Sequence, residues 1–258
     1  MNYAREPGVR SLKKFINRIM EKVAYKLVAS ENPTAVHIDI SRENIEEFLG
    51  APIFESKRIY SDTPPGVVIG LAYNGYGGGI LFIEATKASN PTPTESSKGT
   101  LRVTGSLGEV MKESSSIAQT YAKNFLFQYF RETNPQAVNF LEQQDIHIHF
   151  PEGAVPKDGP SAGVTIATSL IGLALGSSTI EGVGMTGEIS LNGKVLKIGG
   201  VKEKTMAASR EGLKRLIFPA ANRKDVERLP EYIKNGIEFH FVDEYIELFK
   251  IVYPDFKL

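Results

Sequence analysis

One serine, Ser161, lies in a setting that could make it a nucleophile. It stands in the stretch PKDGPSAG, residues 156–163, where Gly-Pro precedes it and a long apolar run follows. A serine hydroxyl attacks a carbonyl group only when a base removes its proton, and free backbone N–H groups at a helix start could hold the resulting oxyanion. The same position is also typical of a helix N-cap. The surrounding residues therefore leave two interpretations of Ser161, an N-cap or the nucleophile of an acyl transfer.

Two lysines are the candidates for the base that such a nucleophile needs. No histidine carries a triad signature, but GGVKEKTMAAS places Lys202 and Lys204 in the first turn of a predicted helix. The positive end of a helix dipole and partial burial both lower the pKa of an amine, which lets it act as a base near neutral pH. Both lysines could instead be solvated charges on a helix face. The sequence pattern alone does not choose between the two.

Other motif matches fail on their context. Gly182–Gly187 fits the letters of the dinucleotide fingerprint, but a predicted hairpin follows it where that fingerprint needs a helix. No GxxxxGK[ST] segment occurs, so the chain has no phosphate loop. Ser11–Lys14 spells SxxK on an amphipathic helix without the accompanying SDN or KTG elements. His147 and His149 face the same way on a predicted strand, but without HExxH or a carboxylate partner we interpret them as structural residues, not metal ligands.

The composition narrows the function classes further. The 258 residues are 41% hydrophobic, and 30 basic residues balance 30 acidic ones, so no overall field attracts nucleic acid or an anionic membrane. The absence of cysteine excludes disulfides, a cysteine nucleophile and thiolate zinc sites. The longest apolar stretch, residues 163–176, is shorter than the roughly 20 residues that cross a bilayer, and the first residues lack an apolar signal core. We expect a soluble protein without a metal, membrane or nucleic-acid partner.

The predicted elements that must position these residues alternate between helices and strands. Apolar residues at spacings of three and four predict an amphipathic helix over 9–29, followed by a domain boundary near residue 34. A compact α/β (α+β layered) domain with a mixed sheet and packed helices follows. Its predicted strands cover 37–40, 67–73, 80–86, 100–105, 146–150, 213–218 and 237–241, with further strands near 185–198. The glycine-rich loop NGYGGG, residues 74–79, is predicted to join the strands at 67–73 and 80–86 into a hairpin. Its predicted helices cover 41–49, 109–130, 161–175 and 201–211, with one between the last two strands and one after them, and 89–99 is a polar surface loop.

Taken in order, these motifs closely resemble the proteolytic domain of the Lon proteases, which are ATP-dependent serine proteases with a Ser-Lys dyad. The resemblance rests on PEGAVPKDGPSAG, MTGE, KIGGVKEKTMAA and IFPAANRKD, and it extends back through TPPGVVIGLAY and TGSLGEVMKES to REPGVRSLKK. It implies that Ser161 is the nucleophile and Lys204 the base. It also implies that Thr186 of MTGE hydrogen-bonds and orients the lysine, and that Asp158 is the acidic residue of the active-site loop.

The resemblance also suggests where a substrate would lie. Tyr73 stands in GLAY where the family more often has GLAW, which keeps an aromatic wall beside the active site but loses the indole N–H. Pro160 and Ala162 flank the serine. We expect these three residues to line the substrate pocket.

The same resemblance implies a larger assembly. Residues 1–34 are expected to be the C-terminal helical remnant of the ATPase small domain, with Arg10 as its sensor arginine, and residues 35–258 the proteolytic domain. ATP and Mg²⁺ would serve the full-length protein and no cofactor would serve this fragment. Six copies would form a ring that cleaves unfolded or damaged proteins, in the mitochondrial matrix or alternatively in a bacterial cytoplasm. A competing hypothesis is an assembly module whose dyad is inactive in isolation.

Overall fold

The structure of the protein is a computed structural model that describes residues 3–4, 8–32, 37–53, 59–60, 62–74, 77–88 and 99–256. The chain forms two compact units, Met1–Arg58 and Ile59–Leu258. The helices of the described residues are α1 (Arg10–Val28), α2 (Ile45–Leu49), α3 (Glu109–Phe130), α4 (Pro135–Gln143), α5 (Gly163–Leu175), α6 (Val201–Arg210), α7 (Arg223–Glu227), α8 (Glu231–Lys234) and α9 (Tyr245–Val252), with a 3₁₀ turn at Ala220–Asn222. The strands are β1 (Val67–Asn74), β2 (Gly77–Lys87), β3 (Leu101–Thr104), β4 (Ile146–His149), β5 (Val183–Met185), β6 (Glu188–Ile189), β7 (Val195–Leu196), β8 (Arg215–Pro219) and β9 (Glu238–Val242).

The first unit consists of α1 and the short α2. The predicted amphipathic helix over 9–29 is confirmed as α1, and none of its residues is buried. Lys26 of α1 forms an ion pair of 3.1 Å with Glu47 of α2, and its ammonium lies 4.7 Å from the centre of the Phe48 ring. Arg10 is exposed in the first turn of α1.

The strand predicted over 37–40 is wrong. A strand needs a partner ladder, and residues 37–40 pair with no strand of the described chain. Instead the carbonyl of Asp39 accepts a hydrogen bond from the side chain of Asn44, and the N–H of Ser41 donates to the amide oxygen of Asn44. This turn delays the helix, so α2 begins at Ile45 and not directly after Ser41.

The second unit is a three-layer arrangement around a seven-stranded sheet of order β3-β4-β2-β1-β5-β8-β9. Alternate residues of β1 point to opposite faces, with Val68 packing on the side of α3, α4, α5 and α9 and Ile69 packing on the side of α6, α7 and α8. The expected mixed sheet with packed helices is therefore confirmed. In the described part of the chain, no helix is both long and apolar enough to cross a bilayer.

The direction of the strands determines at which edge of the sheet functional side chains can meet. β3 is parallel to β4, and β1, β5, β8 and β9 are parallel to each other, while β2 is antiparallel to both β1 and β4. β2 is thus the one reversed strand of this sheet among the described residues. The carboxyl ends of β1, β4 and β5 therefore meet at the same edge, which is where ligands bind in α/β sheets.

Several boundaries follow the sequence closely. The single helix predicted between the last two strands is instead the two short helices α7 and α8, and one further helix was not predicted. The hairpin of β1 and β2 and the helix over 109–130 are confirmed. The unpredicted helix is α4, although Asn134 caps it by accepting from the N–H of Ala137 and Pro135 occupies its first turn. The polar loop predicted over 89–99 lies outside the described residues except for Gly99.

Candidate active site

Ser161 lies just before α5 and is held through its own carbonyl group. The helix begins at Gly163 with Ala162 as the N-cap residue and without a side-chain cap, so the N-cap interpretation of Ser161 is wrong. The Ser161 carbonyl accepts hydrogen bonds from the N–H of Gly187 at 2.8 Å and from the hydroxyl of Thr186 at 3.1 Å. The Ser161 hydroxyl therefore caps no helix, and the Ser161 main chain is hydrogen-bonded to the segment after β5.

Lys204 lies against this serine. Its Nζ atom is 3.2 Å from Ser161 Oγ and 2.9 Å from Thr186 Oγ1, and the side chain is 0% exposed. Lys202, two residues earlier on α6, is exposed. The structure thus brings together the serine, the threonine and one of the two candidate lysines.

Burial lowers the pKa of Lys204, so that the amine can lose its proton near neutral pH. Removal from water disfavours the ammonium and lowers the pKa of Lys204 to about 8. At neutral and mildly alkaline pH a useful fraction of the amine is neutral, and its lone pair could accept the Ser161 hydroxyl proton across the same 3.2 Å. Because the Thr186 hydroxyl contacts both the amine and the Ser161 carbonyl, it fixes where the amine points.

The close packing of α6 on β2 places Lys204. Gly78 of β2 lies so near α6 that a Cβ atom there would overlap the carbonyl oxygen of Glu203. The carbonyl of Gly78 accepts a hydrogen bond of 3.1 Å from the Arg210 guanidinium at the other end of α6. The run of glycines in NGYGGG was a sequence signal for this close approach, but it was interpreted only as a hairpin loop.

We expect Gly78→Ala to lower the reactivity of Ser161 by at least about tenfold and the free energy of unfolding by about 1–3 kcal/mol. The added methyl group meets backbone that cannot rotate away, so α6 must shift and carry Lys204 away from Ser161. Gly79→Ala is the matched control, because a Cβ atom at the next residue of β2 meets nothing within 4 Å. Peptide hydrolysis and denaturant unfolding of both variants check the result, and equal behaviour of the two would contradict it.

The Tyr73 side chain forms a wall beside Ser161 and Lys204. Tyr73 pairs with Gly78 across the hairpin, its ring centre lies 5.9 Å from Lys204 Nζ, and its side chain remains 53% exposed. Gly200 has a left-handed backbone with φ 70° at the start of α6, where a Cβ atom would overlap the Tyr73 ring. The ring therefore has one face on the protein and leaves another part open to a substrate.

Two backbone N–H groups, those of Ser161 and its neighbour, have no partner among the described residues. The N–H groups of Ser161 and Ala162 donate to no acceptor among the described residues. The carbonyl of Pro160 is held by the N–H of Gly163 at 3.1 Å, with the Ser114 hydroxyl at 3.4 Å. Free N–H groups on a fixed turn are the donors that an oxyanion needs.

Asp158 does not contact the pair. Its Oδ1 atom accepts hydrogen bonds from the N–H of Met111 at 3.0 Å and of Gly159 at 2.9 Å, and none of its hydrogen bonds in the described structure reaches Ser161 or Lys204. The carboxylate lies where Gly108, the N-cap residue of α3, lacks a side chain. Asp158 thus caps α3 from outside and anchors the serine loop to it.

The two strand histidines share one hydrogen-bond partner. His147 Nε2 and His149 Nδ1 lie 2.9 and 2.8 Å from the hydroxyl of Thr104. The described residues contain no group of three or more His, Cys, Asp or Glu side chains that could hold a metal ion. Burial and the nearby Arg102 lower the pKa of His147.

Comparison with known proteins agrees with this geometry. The chain matches the Lon protease (S16) C-terminal proteolytic domain over residues 39–254 and the Lon protease AAA+ ATPase lid domain over residues 1–36. It is 49% identical over 255 residues to the mitochondrial Lon protease homolog of Mus musculus, which covers 98% of this chain and 26% of the relative. The corresponding values are 47% over 256 residues for the Homo sapiens homolog, with 98% and 26% covered.

A bacterial relative is nearly as similar. The Lon protease of Chlamydia muridarum is 46% identical over 256 residues, covering 98% of this chain and 30% of the relative. The chain thus spans between 26% and 30% of the length of these relatives. Because the proteolytic-domain match takes in most of the chain and the identity extends over nearly all of it, the chain belongs to the Lon protease family.

Proposed function

We propose that this chain is a serine endopeptidase that cleaves polypeptides through an acyl-enzyme, with Ser161 as nucleophile and Lys204 as base. The observation that carries the proposal is the buried Lys204 Nζ at 3.2 Å from Ser161 Oγ. Among the described residues Lys204 has no acidic partner. Because burying such an amine costs stability, its place beside a serine hydroxyl has no evident structural purpose.

The proposed reaction uses only groups of this chain. Neutral Lys204 takes the Ser161 proton as Oγ attacks the substrate carbonyl, and the N–H groups of Ser161 and Ala162 hold the oxyanion. The Lys204 ammonium then gives its proton to the leaving amine as the peptide C–N bond breaks, which leaves an ester on Ser161. A water molecule, deprotonated by Lys204, then attacks this ester. As the ester C–O bond breaks and the acid is released, Lys204 returns the proton to Ser161 Oγ. Thr186 keeps the amine oriented throughout, and Tyr73, Pro160 and Ala162 border the substrate.

We propose further that the chain works as part of a larger, ATP-dependent protein. The lid-domain match supports assigning residues 1–34, with Arg10 as sensor arginine, to the end of an ATPase module. ATP and Mg²⁺ would bind in that module, because this chain has no phosphate loop of its own. Family membership supports a ring of six copies acting on unfolded or damaged proteins. The names of the relatives support the mitochondrial matrix, with a bacterial cytoplasm as the alternative.

The competing hypothesis is an assembly module whose dyad is inactive in isolation. The hydrogen bonds that join Ser161, Thr186 and Lys204 lie within one chain, which favours the peptidase. A fluorophosphonate probe, which reacts only with an activated serine, separates the two hypotheses.

The rate of probe labelling is expected to rise with pH through about 8. The reactive form has a neutral Lys204, so the rate should rise about tenfold per pH unit well below the pKa of about 8 and level off above it. We would measure labelling and hydrolysis of a fluorogenic peptide from pH 6 to 10.

Controls for this profile use nucleotide and a folded substrate. Mg-ATP should leave the rate of the 258-residue chain unchanged, and a stably folded test protein should resist cleavage, because these residues contain no phosphate loop that could use ATP to unfold it. A rate that falls as pH rises through neutrality, or a marked stimulation by ATP, would contradict the proposed function.

A further inference from the structure

Lys157, in the loop between β4 and Ser161, is tied into the backbone around it. Its ammonium donates hydrogen bonds to the carbonyl groups of Glu152 at 2.8 Å, Val155 at 3.0 Å and Gly105 at 3.2 Å. A lysine ammonium has three N–H donors, so each one is used. A loop lysine is ordinarily a solvated charge, whereas this one organises three carbonyl groups from two segments of the chain.

The main chain of Lys157 makes further connections between the same two segments. Its N–H donates to the carbonyl of Ser106 at 3.0 Å, and its carbonyl accepts from the N–H of Gly108 at 2.8 Å. Lys157 therefore joins the loop at 152–157 to the turn at 105–108 by hydrogen bonds of both its side chain and its backbone. We call these two segments together the Lys157 clamp.

The backbone that Lys157 holds is conformationally unusual. Ser106, with φ 58°, and Glu152, with φ 62°, are the non-glycine residues with positive φ in the described chain. Side chains disfavour this left-handed region, and residues stay there only when their surroundings fix them. The carbonyl groups of both residues accept a hydrogen bond from Lys157. One residue thus stabilises both of these conformations.

The Lys157 clamp leads directly to the nucleophile. Asp158, the next residue, caps α3, and Ser161 follows three residues later with its carbonyl bound by Gly187 and Thr186. The serine turn is therefore fixed on one side by the segment after β5 and on the other by the Lys157 clamp. Loss of the clamp would free one side of the turn that carries the hydroxyl and the two unpaired N–H groups.

We propose that Lys157 is a positioning residue, whose ammonium holds the loop at 152–157 on the turn at 105–108 and so sets the backbone of Ser161 for attack. The inference rests on the proposed function of Ser161. Lys157 itself touches neither Ser161 nor Lys204 by any hydrogen bond of the described structure, so it acts through the loop.

The test replaces Lys157 by methionine in the 258-residue chain, which keeps most of the stem and removes the three donors. Hydrogen exchange of backbone amides should become faster at 105–108 and 152–157 and stay unchanged in α9. Fluorophosphonate labelling of Ser161 should slow by at least about tenfold. The pH midpoint of labelling should remain near 8, because Lys204 and its burial are untouched.

Two comparison variants separate positioning from general damage. Lys157→Arg retains a charged donor group and should restore much of the labelling rate, and it covers the case in which the methionine variant folds poorly. Lys112→Met removes an exposed lysine paired with Glu109 in the first turn of α3, and it should behave as wild type.

The outcomes distinguish this proposal from the proposed function. Unchanged exchange in Lys157→Met, or faster exchange with unchanged labelling, would overturn the positioning role. A wild-type chain that resists the probe would overturn the proposed function, while the exchange measurement would still decide whether the Lys157 clamp exists.

Discussion

Ser161→Ala is expected to abolish peptide cleavage and fluorophosphonate labelling, with a loss of at least about 10³-fold. The variant removes the hydroxyl that forms the acyl-enzyme in the proposed reaction. The other hydroxyl next to Lys204, that of Thr186, is buried and donates to the Ser161 carbonyl, so we do not expect it to replace the serine. Stability should change by less than about 1 kcal/mol, because the hydroxyl does not cap α5 and Thr186 still contacts the amine. Peptide hydrolysis and denaturant unfolding at pH 8 check both parts.

Ser116→Ala is the matched control, since Ser116 is an exposed serine of α3 whose hydroxyl only donates to the carbonyl of Lys112. It should keep full activity. Cleavage that survives in Ser161→Ala would remove Ser161 from the nucleophile role, and loss of cleavage together with loss of the folded state would assign it a structural one.

Replacing Lys204 should have an effect of similar size. Lys204→Met keeps much of the side-chain volume but has no base, and Lys204→Arg keeps a guanidinium that holds its proton at neutral pH. Both variants should be inactive, while Lys202→Met, which changes an exposed residue two positions away, should cleave peptides as wild type does. Activity in Lys204→Met, or its loss in Lys202→Met, would show that the wrong lysine was chosen.

The free energy of unfolding of Lys204→Met shows whether the variant has lost only the amine or has also lost the fold. Burial lowers the pKa of Lys204 from 10.5 to about 8, which corresponds to a cost on the order of 3 kcal/mol while the lysine is charged in both the folded and unfolded states. This cost is fully present below pH 8, shrinks between pH 8 and 10.5 as only the unfolded chain remains protonated, and is absent above. Lys204→Met should therefore be no less stable than wild type at pH 7, and any advantage should fade by pH 10.5.

The regular elements and the serine loop could be predicted because their signals are local. The periodicity of apolar residues predicts α3 with the bounds that the structure has, and alternating β-rich runs predict the hairpin of β1 and β2. The strand expected at 37–40 failed because strand formation depends on a partner that local sequence does not reveal. The helix α4 was missed because no element was assigned to residues 131–145, although the Asn134-Pro135 pair there is typical of a helix start.

The arrangement of the site depends on contacts between distant residues, which local patterns do not contain. Asp158 binds the N–H of Met111, 47 residues away in the chain. The choice between Lys202 and Lys204 depends on burial beneath the hairpin, where Gly78 admits α6. Without the family resemblance, the sequence left open both the partner of Asp158 and the choice between Lys202 and Lys204. Neither residue type nor spacing states which side of a helix will be buried by distant residues.

The position of β5 in the sheet has a consequence for the newly made protein. β5 lies between β1 and β8, and the N–H of Thr186, just after β5, donates to the carbonyl of Ile217 in β8. Thr186, whose hydroxyl contacts the Lys204 amine, is therefore in place only after segments from residue 67 to residue 219 have come together, and such long-range pairing is slow. A chain that is still being synthesised thus contains Ser161 before Lys204 has been placed beside it. Under the proposed function, peptidase activity therefore requires the completed fold.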